Sequence, residues 1–153
     1  MKRLIFIVTI LMAFSSQAQQ YSTAIGLKGG FSFNGGGGIN LKHFLGGSSA
    51  VEVSVGGGSR HIWLQGLYER NQELSHGVEW YYGFGGDIGL FTNGGYDSKY
   101  PSGLFLGADG VIGVEYTFED FPLNLALDTG PTLRVIPYVG FGWGGGLAAR
   151  YAF

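Results

Sequence analysis

The chain has 153 residues, of which 45% are hydrophobic, 16% aromatic and only 13% charged, with a formal net charge of -2, thirty glycines and no cysteine. An ordinary soluble domain carries about 25% charged residues, so a water-facing surface would be thinly covered. The near-neutral balance gives no basic field for nucleic acid, and without cysteine there is neither a disulfide framework nor an acylated lipoprotein anchor.

At the amino terminus, Lys2 and Arg3 precede the apolar run Leu4 to Phe14, and Ser16-Gln17-Ala18 offers small residues where a signal peptidase reads. This predicts a signal peptide over residues 1-18 and one exported domain over 19-153. The apolar run is too short to span as a helix, which needs roughly twenty residues.

Eight segments then alternate with period two, the mark of strands with one apolar face. The first, Tyr21 to Phe33, sets Ile25, Leu27 and Phe31 against Ala24, Gly26 and Lys28, and Asn34 to Gly37 turns the chain. Gly38 to Leu45 and Ser49 to Val55 form a hairpin through Gly46-Gly47-Ser48, which predicts Lys42 opposite Glu52. Arg60 to Arg70 alternates more weakly, with Ile62, Leu64, Gly66 and Tyr68 against Trp63, Gln65, Leu67 and Glu69, before a connection over Asn71 to Gly77.

The fifth segment places Trp80, Tyr82, Phe84, Ile88 and Leu90 against Glu79, Gly83, Gly85 and Asp87, and an outer loop follows from Thr92 to Gly103. Gly107 to Phe118 opposes Ile112, Val114, Tyr116 and Phe118 to Asp109, Gly113 and Glu115. After Glu119 to Pro122, Leu123, Leu125 and Leu127 oppose Asn124, Ala126 and Asp128, and Gly130 to Pro137 reads as a fourth outer loop carrying Arg134. The eighth segment ends the chain, with Phe141, Trp143, Leu147, Tyr151 and Phe153 on one face and glycines, Ala148 and Arg150 on the other.

Three features set the sign of the faces. The polar face is mostly glycine, alanine and serine with an isolated charge per strand, which suits a narrow lumen. Aromatics gather at the strand ends: Tyr21, Tyr68, Trp80, Tyr82, Tyr116, Phe118, Tyr151 and Phe153 at one rim, and Phe31, Phe33, Phe141 and Trp143 at the other, as at two membrane interfaces. From Tyr21 to Phe31 the strand runs about 34 Å, which a tilt near 45° projects to about 24 Å, against an expected lipid-facing band of about 25 Å. The expectation is an all-β fold, an eight-stranded antiparallel up-and-down transmembrane β-barrel, closed because hydrocarbon offers edge amides no partner.

Gly66-Leu67-Tyr68-Glu69, Trp80-Tyr81-Tyr82-Gly83, Gly113 to Phe118, Phe121 to Asp128 and the closing Arg150-Tyr151-Ala152-Phe153 together resemble the small outer-membrane β-barrel proteins of Bacteroidota-type bacteria, of OmpA/OmpX-like transmembrane type. The resemblance implies residence in the cell outer membrane among its lipids. The aromatic-x-aromatic ending is similar to the signal read by the barrel-assembly machinery. It implies no reaction, no cofactor and no known surface ligand.

The inward charges are Lys28, Lys42 and Arg150 against Glu52, Glu69, Asp87, Asp109, Glu115 and Asp128. An unpaired buried ion costs several kcal/mol, so they are expected to neutralise one another, with Lys42, Glu52, Glu69, Glu115 and Arg150 clustered in the periplasmic half. Such a network serves as a structural plug or as an ion path. Ser59 and His61 lie where a membrane-barrel hydrolase would keep its site, yet two residue types in proximity make no triad. His43, His61 and His76 lack ligand spacing for a metal, and Gly35 to Gly38 reads as a turn, not a phosphate loop. In the loops, Tyr96, Asp97, Lys99, Tyr100, Pro101 and Arg134 offer the remaining candidate surface. Three readings stay open: a non-enzymatic structural or surface-interaction barrel with a plugged interior, which is preferred, a narrow channel for ions or small hydrophobic solutes, and a lipid-modifying enzyme.

Overall fold

A computed structural model describes residues 21–31, 35–92 and 103–153. The expected signal peptide over residues 1-18, Phe33, and Tyr96, Asp97, Lys99, Tyr100 and Pro101 of the expected third outer loop lie outside the described residues. Eight strands, β1 (Thr23–Phe31), β2 (Gly36–Gly46), β3 (Ser49–Gly58), β4 (His61–Ser75), β5 (Val78–Phe91), β6 (Gly103–Thr117), β7 (Leu123–Ile136) and β8 (Gly140–Ala152), follow one another around a closed barrel. Every neighbouring pair is antiparallel, and β1 meets β8 from Ala24 opposite Ala152 to Phe31 opposite Gly145. At the seam Thr23 and Phe153 exchange backbone hydrogen bonds of 3.0 and 2.8 Å. Both described chain ends therefore sit at one rim, here the terminal rim; the opposite one is the far rim.

The alternation dictates which side chains go in. Even-numbered residues of β1, β2, β3, β8 and of β7 as far as Arg134, and odd-numbered residues of β5, β6 and of β4 as far as Glu73, face the interior, so Lys28, Lys42, Glu52, Glu69, Asp87, Asp109, Glu115, Asp128 and Arg150 all point inward. On the outside Leu27, Phe84 and Leu147 are each about two-thirds exposed, at 68%, 69% and 65%. The weaker alternation of β4 follows the same rule. Trp63 and Leu67 are buried inside while Ile62, Leu64 and Tyr68 point outward.

Turn chemistry sets the registers. Gly46 and Gly47 adopt positive φ of 122° and 58° in the β2–β3 turn, a conformation open to glycine and strained for other residues, and the hairpin places Lys42 opposite Glu52 as its centre at Gly47 predicts. Glycine elsewhere makes room: a Cβ on Gly113 would stand 2.5 Å from the Tyr81 ring, and one on Gly56 2.7 Å from the Trp63 ring. The aromatics that fill the interior thus require bare backbone beside them.

Several boundaries differ from expectation: β3 runs on to Gly58 and β6 begins at Gly103, and two further shifts change the interior. β4 runs to Ser75, so Asn71 belongs to the wall and points inward instead of opening a connection. β7 runs to Ile136, which replaces most of the expected fourth loop with strand and buries Arg134 at 2% exposure. Pro131 has no amide hydrogen to donate to the ladder. Val135 is an extra residue, since Leu106 pairs with Ile136 while Gly107 pairs with Arg134. Both irregularities hide a strand from a period-two reading. The wall is also uneven in height: β1, β2 and β3 have 9, 11 and 10 residues, whereas β4 to β7 have 14 or 15.

Candidate functional site: the ionic interior

Arg150 organises the terminal half of the lumen. Its Nε donates to Asn40 Oδ1 and its Nη2 pairs with Glu52, while Nη1 donates to Asn124 Oδ1 at 2.9 Å and lies 3.3 Å from Glu115 Oε2. A planar guanidinium can engage several acceptors at once because its donors diverge in a fixed fork. Four strands, β2, β3, β6 and β7, are tied to β8 through that single group.

Two lysines complete the network. Lys42 Nζ sits 2.9 Å from Glu69 and 3.1 Å from Glu115, and 4.3 Å over the Tyr81 ring. Lys28 Nζ bridges Glu52 at 2.6 Å and Asp128 at 2.7 Å. Lys42 and Glu52 thus face each other in register, yet each takes its partners from across the lumen. Glu115 Oε1 also accepts from Asn71 at 2.7 Å and from the Tyr21 hydroxyl at 3.1 Å, and the Tyr81 hydroxyl donates to Asp128 at 3.1 Å. Low dielectric strengthens each of these bonds and penalises each unpaired group, so the cluster acts as one unit.

The far half is built differently. Arg134 lies 4.1 Å over Phe105 and 5.6 Å over Phe91, with its Nη2 3.9 Å from Asp87. Sequence reasoning placed Asp87 with the other ions and Arg134 on the surface. The structure instead pairs these two apart from the terminal cluster. His61 turns to the Gly35 carbonyl at 2.8 Å and edges onto Phe91 and Phe105. Gln65 donates to Asp109 Oδ2 at 2.7 Å. Between the two halves lies a cavity of about 80 Å³, lined among others by Lys28, Trp63, Gln65, Asp109, Asp128 and Thr132.

At the terminal rim the aromatics stand in contact: Trp80 with Tyr82 at 5.3 Å between ring centroids, Tyr116 with Phe118 at 4.7 Å, and Tyr151 with Phe153 at 6.2 Å. Tyr68 points outward and donates to Ser49 at 3.1 Å. Tyr21 departs from the outward girdle position that its parity predicts. It precedes β1, so no ladder fixes its direction, and its ring packs on inward-facing Phe44 at 5.2 Å while its hydroxyl reaches Glu115. No His, Cys, Asp and Glu group that could hold a metal ion occurs among the described residues.

The fold and interior define a closed eight-stranded antiparallel barrel whose lumen is filled with charged side chains. Comparison with family models, with curated proteins and with solved structures finds no match for the chain.

Proposed function

We propose that this chain is an integral barrel of the cell outer membrane, exported through a cleaved signal peptide, with a plugged interior and a structural or surface-interaction role without turnover. The observation that carries the reading is the inversion of the usual layout: arginine, lysine and glutamate lie inside while large apolar side chains cover the outside. Contiguous apolar patches on soluble monomers rarely exceed a few hundred Å². A wall of outward Leu, Ile, Val and Phe on all eight strands goes far beyond that, and hydrocarbon is the medium that would favour it. The partners on this reading are outer-membrane lipid along the wall and the barrel-assembly machinery at β8.

The terminal network supports a plug over a channel, since its side chains bond to one another across the lumen. The experiment is twofold. Spin labels at Leu125 and Leu147 should sense lipid and resist aqueous quenchers, and the reconstituted protein should give no steady conductance in planar bilayers. Water-exposed labels at those wall positions would overturn the membrane reading; steady conductance that disappears in Glu115→Gln would overturn the plug.

A further inference from the structure

Of the buried carboxylates in the lumen, Glu52, Glu69, Asp87, Glu115 and Asp128 each have a lysine or arginine nitrogen within 4 Å. Asp109 has none among the described residues. Its Oδ2 is held by the neutral amide of Gln65, while Oδ1 is buried without a hydrogen-bond partner. The residue is only 6% exposed. It borders the cavity of about 80 Å³ between the two halves of the lumen, and Trp63, which borders the same cavity, buries an indole N–H that also lacks a partner.

The charges do not balance either. Six buried carboxylates, with half-buried Glu79 beside them near the terminal rim, face four cations, Lys28, Lys42, Arg134 and Arg150, among the described residues. Leaving one carboxylate buried and uncompensated costs several kcal/mol. A chamber that admits several waters, at roughly 10–15 Å³ of such space for each, can remove that cost by admitting a counter-ion.

We propose that this chamber binds a small monovalent cation, held against Asp109 Oδ1 with part of its water shell. Lys28 does not fill the role because Glu52 and Asp128 already share its ammonium. The Trp63 N–H serves the accompanying water, which can accept from the indole while its own oxygen coordinates the ion. Of the two carboxylates that line the chamber, Asp128 is already paired with Lys28, so Asp109 alone has charge to offer and the chamber suits an alkali or ammonium ion better than a divalent metal, which needs more oxygen ligands of fixed geometry.

The test uses the full mature chain in detergent micelles, with Trp80→Phe and Trp143→Phe so that Trp63 is the sole indole. Caesium, which quenches indole emission on contact, should quench saturably and be displaced by potassium, and iodide should not saturate. Asp109→Asn should weaken the caesium response at least tenfold. Gln65→Lys, which supplies a tethered ammonium at the same carboxylate, should do likewise, with folding of both variants checked by the mobility of unheated samples on gels. A non-saturating response to caesium, or an unchanged one in either folded variant, overturns the proposal. Because the readout needs no bilayer, its failure leaves the membrane and plug readings standing.

Discussion

Arg150 shows how much one residue can hold. It is 1% exposed and bonds to Asn40, Glu52, Glu115 and Asn124, so removing it leaves two glutamates facing each other without that cation. Arg150→Met is expected to destabilise the barrel by about 3–5 kcal/mol, measured by urea unfolding in micelles, and Arg150→Lys by about 1–2 kcal/mol because charge survives while the forked contacts are lost. At this scale the sequence told which side chains point inward, since parity alone decides that. It did not tell which acid meets which base. Lys42 and Glu52 are neighbours in register but bond elsewhere, because partner choice depends on how strands face one another across the lumen. Tyr21 was illegible for a different reason: a residue ahead of the first ladder inherits no parity.

Among the elements, β7 carries the clearest lesson. Its first half reads plainly as Leu123, Leu125 and Leu127 outward, and its second half is concealed by Pro131 and by the extra Val135. Sequence reading consequently treated Arg134 as a loop cation, although it lies buried over Phe105. Single cysteines supply a check. Those at Leu133 and Val135 should react with a membrane-confined maleimide, while those at Thr132 and Arg134 should resist it; uniform labelling of all four by a water-soluble maleimide would restore the loop. β4 was legible in facing but not in length, because Asn71, Gln72 and Glu73 are polar on both faces and give no period to follow.

For the molecule as a whole, closure was legible from the need to satisfy edge amides, and the β1–β8 ladder provides it. Amide exchange in micelles should therefore be as slow at Ile25, Leu27, Leu147 and Ala149 as in the middle of β5 and β6. Fast exchange confined to β1 and β8 would mean an open sheet. The low content of charge and the abundance of glycine were equally readable as signs of a narrow interior, whereas the separation into a terminal ionic cluster and an aromatic far half was not. Height supplies one last consequence. The extra length of β4 lies at the terminal rim, where the mostly polar Asn71 to Ser75 pair with Val78 to Tyr81 of β5. On the membrane reading proposed above, this hairpin would reach past the hydrocarbon into the headgroup layer and stand as a raised lip on one side of the barrel mouth.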